Sequence, residues 1–196
     1  IRDSLGSPST VTATILDEDA TPTVSIAGPA TVDESAGTLT FTLTLSAVSG
    51  QTVTVPYVIS GTATSGADFA GTTVGNVIIP AGSMTGTIVL TLIDDTVDEP
   101  SPETIIATLG TPTGATLGVA VANTNLTDND TQPNASASGG AIDEGTGAGT
   151  TTLLFTISLD RASGQSVVVN YTIAPGSATA TSDYTATTPS SVTFAP

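Results

Sequence analysis

Apolar and polar residues alternate along much of the chain. From Thr38 to Leu45 every odd position is apolar (Leu39, Phe41, Leu43, Leu45) and every even one is Thr. Successive side chains of an extended strand point to opposite faces, so this run predicts a strand with one buried face. Residues 52–59, 77–79, 86–93, 104–109 and 119–126 predict further strands. Ser49-Gly50, Ser65-Gly66, Pro80-Ala81-Gly82, Asp94-Asp95 and Thr113-Gly114 separate them with turn-forming residues. No stretch has the 3.6-residue period of an amphipathic helix. Short strands at this spacing predict an all-β fold, a sandwich of two antiparallel sheets.

The pattern repeats along the chain. Ser49-Gly50-Gln51-Thr52-Val53-Thr54-Val55-Pro56-Tyr57 returns as Ser163-Gly164-Gln165-Ser166-Val167-Val168-Val169-Asn170-Tyr171. Gly61-Thr62-Ala63 through Asp68-Phe69 returns as Gly176-Ser177-Ala178 through Asp183-Tyr184, and Asp33-Glu34 as Asp143-Glu144. Leu16-Asp17-Glu18-Asp19 foreshadows Leu126-Thr127-Asp128-Asn129-Asp130. A repeat of this length is one sandwich domain, so the chain reads as a tandem array. Residues 21–130 are expected to form a complete unit. Residues 1–20 read as the last strand of a preceding unit, and residues 131–196 as the first half of a following one, truncated before its last strands.

Composition narrows the chemistry. Eighteen acidic residues face two basic ones, Arg2 and Arg161, for a formal net charge of -16. Phosphate binding needs clustered Lys or Arg, so nucleic acid is excluded as a partner, and attraction to anionic lipid with it. No run is long and apolar enough to insert in a membrane. The chain has no Cys and no His. Thiolate and imidazole metal sites, cysteine nucleophiles and Ser-His-Asp triads are therefore excluded. Oxygen ligands remain, and these suit hard cations, calcium above all. Paired carboxylates also serve glycosidases. Trp is absent and aromatic residues are 4% of the chain, which leaves little to stack a sugar, so no enzyme is expected. The glycine-rich run Gly145-Thr146-Gly147-Ala148-Gly149 lacks the Lys of a phosphate loop and reads as a turn.

The acids are clustered. All but Asp3 and Asp160 fall at Asp17-Glu18-Asp19, Asp33-Glu34, Asp68, the run Asp94, Asp95, Asp98, Glu99 and Glu103, then Asp128 and Asp130, Asp143-Glu144, and Asp183. Turn chemistry accounts for scattered Asp but not for four acids within six residues. Two carboxylates about 4 Å apart repel by roughly 4 kcal/mol at an effective dielectric near 20, and a divalent cation between them reverses that sign. Alternate loops of a sandwich gather at one end, which is where these clusters would meet.

Glu34, Gly61-Thr62-Ala63 with Asp68-Phe69, Pro80-Ala81-Gly82, Asp94-Asp95 with Glu99 and Glu103, and Asp128-Asn129-Asp130, in this order and spacing, resemble the Calx-beta domain. That family includes the regulatory calcium-binding domains of sodium–calcium exchangers and modules repeated in large bacterial surface proteins and adhesins. The resemblance covers residues 21–130 and both flanking pieces. It implies immunoglobulin-like sandwiches of about seven strands with Ca2+ at one end. It implies Glu34, Asp68, Asp94, Asp95, Glu99, Asp128 and Asp130 as ligands, with Asp98 beside them and Glu103 at the margin of the set. Glu144 and Asp183 are the matching positions in the following unit. By this resemblance Asn129 stands where many relatives have an acid, which implies one ion site weakened or lost.

The expected function is a calcium-stiffened spacer in a long extracellular or cell-surface protein, an adhesin or a filament, of bacterial type given the lack of Cys. Its partners would be neighbouring repeats of the same chain, other copies in a filament, or an adhesion target. The alternatives are a calcium-sensing regulatory module, or a filament subunit completed by strand exchange between chains.

Overall fold

The computed structural model describes residues 12–14, 16, 18–147, 149–186 and 190–196. The strand expected within residues 1–20 falls mostly outside these, and Asp17 does so entirely. Fourteen strands are described: β1 (Thr23–Ala27), β2 (Thr31–Asp33), β3 (Thr38–Leu45), β4 (Val53–Gly61), β5 (Phe69–Ala70), β6 (Val74–Ile79), β7 (Thr85–Leu92), β8 (Glu103–Leu109), β9 (Thr116–Leu117), β10 (Val121–Thr127), β11 (Ala135–Gly139), β12 (Phe155–Leu159), β13 (Val167–Asn170) and β14 (Ser191–Phe194). One turn of 3-10 helix, Glu34–Ala36, lies between β2 and β3.

Residues 21–130 form two five-stranded sheets, in the orders β5-β7-β3-β1-β9 and β2-β10-β8-β4-β6. They make the expected sandwich. The core is the inward face of each alternating strand: Leu39, Phe41, Leu43 and Leu45 from β3, Val53, Val55, Tyr57 and Ile59 from β4, and Ile88, Leu90 and Leu92 from β7 are all buried. Register follows from burying these faces. In the β3–β7 ladder Leu39 faces Leu90 and Phe41 faces Ile88. Tyr57 keeps its ring inside, and its hydroxyl donates to the carbonyl of Thr72 at 3.3 Å. A buried phenol needs such a partner.

Ten strands where about seven were expected have a simple cause. The first strand is broken into β1 and β2, which belong to opposite sheets. Between them Pro29 has no N–H to continue a ladder. A side chain at Gly28 would lie 2.5 Å from the Phe41 ring, so the bend needs glycine. The break is held from β10: Thr124, fully buried, donates its hydroxyl to the Pro29 carbonyl at 2.7 Å, and Asn125 N donates to the Ala30 carbonyl at 2.9 Å. The two-residue strands β5 and β9 add the remaining two.

Residues 135–194 form two two-stranded ladders, β11–β12 and β13–β14. The second repeats the β4–β6 pairing: Val167 faces Phe194 as Val53 faces Ile79. Among the described residues no helix is long and apolar enough to cross a membrane.

Candidate metal centre

Most of the predicted acids gather where β2, the loop before β5, the loop before β8 and the end of β10 come together. Glu34 opens the 3-10 turn after β2. Asp33 caps that turn by accepting from the Ser35 hydroxyl and from Ser35 N, the latter at 3.0 Å, and these bonds hold its carboxyl below the ordinary range. With Asp33 so engaged, Glu34 is turned inward and is 3% exposed. Its carboxylate lies with those of Asp128 and Asp130, their nearest oxygens within 4.8 Å of one another. Asp68, Glu99 and Glu103 form a second triad under the same limit.

The triads are joined through Asp128. One carboxylate oxygen accepts from Glu99 N at 3.0 Å and the other from Asp130 N at 2.9 Å. Asp68 is 5% exposed and is anchored by the Thr64 amide, which donates to its carboxylate. Two charged carboxylates at 4.8 Å repel by roughly 3 kcal/mol at an effective dielectric near 20. Loss of hydration adds to this, because a buried charge gives up the water that would stabilise it. The Glu34 carboxyl is accordingly pushed up to about 7, by burial first and by Asp128, Asp130 and Glu99 next, against the opposing Asn129 amide. Glu103 is also raised to about 7, by burial and then by Asp68 and Glu99. Glu99 and Asp130 are shifted upward for the same reasons, with burial the largest cause in each.

The other predicted residues lie outside the two triads, Asp94 and Asp95 beside them and Asp98, Glu144 and Asp183 apart. Asp94 Oδ1 and Asp33 Oδ1 both accept from the side-chain amide of Asn129, at 3.4 and 3.2 Å. The Asn129 amide thus bridges two carboxylates. Asp95 caps its own loop by accepting from Val97 N at 2.7 Å, and its charge acts on Glu99 and Asp130. Asp98 is buried away from both triads, and its carboxylate accepts from the Ser163 hydroxyl at 3.1 Å. Glu144 lies in an exposed loop, outside the acidic triads among the described residues. Asp183 accepts from Thr179 N at 2.7 Å, repeating the Asp68–Thr64 contact, and that bond holds its carboxyl low. Glu103 is the residue the sequence reading undervalued. The signal was its place in the Asp94–Glu103 run, at the first position of β8.

Whether this acid set fits a cation is answered by one atom. Asp130 Oδ2 is buried and has no hydrogen-bond partner. An anionic oxygen withdrawn from water and left unpaired is costly, and a bound cation satisfies it. Carboxylate oxygens are the donors that hard cations select.

Residues 5–130 and 141–196 match the Calx-beta domain family. The chain belongs to that family. Calx-beta domains are regulatory or binding domains that bind Ca2+, and the two triads of this one have the donor set to hold it. Similar solved structures include the apo-form Calx CBD1 domain, at 27% identity and a TM-score of 0.48, covering 55% of this chain and 99% of that one. The calcium binding domain CBD12 of CALX1.1 is 28% identical, with a TM-score of 0.48 over 54% of this chain and 44% of that one. CBD12 from CALX1.2 is 26% identical, with a TM-score of 0.49 over 55% and 44%. No curated protein matches the chain.

Proposed function

We propose that this Calx-beta chain is a calcium-stiffened spacer of a long extracellular protein, in which ions held by Glu34, Asp128 and Asp130 and by Asp68, Glu99 and Glu103 lock the loops at one end of each unit. The unpaired, buried Asp130 Oδ2 carries this reading. Without a cation the loops hold six neighbouring carboxylates against their own repulsion. With one, the same groups become ligands tying β2, the β8 loop and the end of β10 together. The Ser163-Gly164-Gln165 loop contacts the main chain at Asp98, and that contact supports the reading of this end as a junction between units. The lack of Cys and the near-absence of basic residues support a bacterial surface location.

Titration calorimetry of the full chain with Ca2+ tests it, alongside thermal unfolding in EGTA and in calcium. Dissociation constants of about 10⁻⁴ to 10⁻³ M are expected of an extracellular module. Micromolar affinity replaces the spacer with a sensor. No binding, or equal binding by Asp128→Asn with Asp130→Asn, removes the calcium site.

A further inference from the structure

The loop Ser163-Gly164-Gln165 grips the acidic loop of the sandwich through its main chain. Gly164 N donates to the Asp98 carbonyl at 2.9 Å, and the Gln165 side-chain amide donates to the Glu99 carbonyl at 2.9 Å. The Ser163 hydroxyl donates to the Asp98 carboxylate at 3.1 Å and also accepts from Gln165 N at 3.1 Å, which fixes the loop's own shape. Gly164 lies flat on this surface. A side chain there would meet Glu99 Cγ at 3.3 Å and the Asp98 carbonyl oxygen at 3.4 Å.

The sandwich carries a copy of this loop at Ser49-Gly50-Gln51, built in the same way. Ser49 is buried, and its hydroxyl accepts from Gln51 N at 3.0 Å. The copy sits near the other end, where the chain enters: Ser46 N donates to the Thr23 carbonyl at 2.8 Å. It differs in being uncovered. Gly50 and Gln51 are exposed, whereas Gly164 and Gln165 are half-buried. A side chain at Gly50 would meet nothing within 4 Å. Val48 beside it is 57% exposed.

We propose that the Ser-Gly-Gln loop is a docking element by which one Calx-beta unit grips the main chain of the acidic loop of the unit ahead of it, and that Ser49-Gly50-Gln51 is this element presented to a further unit of the same kind. The partner is recognised by chemistry: two adjacent carbonyls and one Asp carboxylate, the set that Asp98-Glu99 presents. This inference rests on the tandem-unit reading and not on bound calcium. Two of the three contacts end on backbone oxygens, so they persist whatever ion the carboxylates hold.

The absence of Cys allows clean spin labelling of the full chain at Thr87→Cys and Thr193→Cys, both exposed, with the inter-label distance read in EGTA. One narrow distance is expected. It is lost in the Ser163→Ala, Gln165→Ala variant and, separately, in Gly164→Leu, while the unfolding midpoint of the sandwich is unchanged. The Ser49→Ala, Gln51→Ala variant keeps the narrow distance. In a chain lengthened by a second copy of residues 20–130 placed directly ahead of Ala20, labels on the first and second sandwiches should also give one narrow distance, which Gly50→Leu abolishes. A broad distance in the parent chain, or the same narrow distance in the Ser163/Gln165 variant, overturns the docking element. Insensitivity of the lengthened chain to Gly50→Leu overturns the role of Ser49-Gly50-Gln51. Calorimetry on the same samples separates this from the calcium reading: absent calcium binding with a preserved distance pattern defeats that reading and leaves this one standing.

Discussion

Phe41 and Phe155 occupy matching places in nearly identical strands, Phe41-Thr42-Leu43-Thr44-Leu45 and Phe155-Thr156-Ile157-Ser158-Leu159. Both sequences form strands, in β3 and β12. Phe41 is 0% exposed and Phe155 is 58% exposed. The same contrast separates β4 from β13, where Val53 and Val55 are buried but Val167 and Val169 only half so. Alternation makes a strand with an apolar face. A second sheet packed against that face makes a core. Residues 21–130 have both sheets, whereas the described strands of residues 135–194 pair only two by two. The acids follow the same rule. Asp68 and Asp183 each accept from the amide four residues earlier, yet only Asp68 meets two further carboxylates, because β8 delivers Glu103 and its preceding loop delivers Glu99.

The sharpest test of this contrast is deletion of the ring. Phe41→Ala should cost the sandwich about 3–5 kcal/mol, as large-to-small changes in a closed core do. Phe155→Ala should stay within about 0.5 kcal/mol, the range of exposed positions. Urea denaturation followed by circular dichroism measures both, and an equal loss would mean that Phe155 is buried in solution.

Acidity separates the regions next. Glu34 has a folded-state value near 7 against an ordinary 4.5, so the folded sandwich holds its proton more tightly than the unfolded chain. That contribution is complete below pH 4.5 and is lost as pH rises through 7. In EGTA the sandwich should therefore lose on the order of 2 kcal/mol across this window. Glu34→Gln should reduce this loss and leave the share of Glu103, whose carboxyl is also raised to about 7. Saturating calcium should reverse it, because the ion binds the ionised form. Asp183 works in the other direction: its carboxyl is held low by Thr179, so its contribution is present above pH 3.8 and lost as pH falls. A Glu34→Gln profile in EGTA identical to that of the parent chain between pH 4.5 and 7 would show that Glu34 is solvated.

Calcium gives the smallest effect. At ten times its dissociation constant one ion adds about 1.4 kcal/mol to stability. Asp68→Asn keeps an oxygen for the Thr64 amide but removes a charge, so the gap between midpoints in calcium and in EGTA should shrink. Asp183→Asn, at the matching position, should leave that gap unchanged. Equal effects would place an ion in the second region too.

Much of this was legible in the sequence. The period of two in β3 and the turn residues around it gave the fold class. The absence of His and Cys left only oxygen chemistry, and the clustering of acids pointed to a cation. Expected strand positions were met to within a few residues, since strand ends depend on which neighbour continues the ladder. The break at Pro29 went unread because its two halves join different sheets, which depends on β10 passing beside both.

The sequence by itself determined which residues alternate, which chemistry is available, and that one stretch of chain repeats another. These are local properties, set by side-chain geometry and composition. Only the tertiary structure decided which acids meet. Glu103 joins Asp68 and Glu99 because β8 pairs with β4 and begins beside the Asp68 loop, whereas Asp98, one residue from Glu99, turns to Ser163. Neighbours in a strand face opposite ways and neighbours in a loop keep no fixed facing, so proximity along the chain says little about proximity of carboxylates. Long-range pairing between strands is what puts charge beside charge.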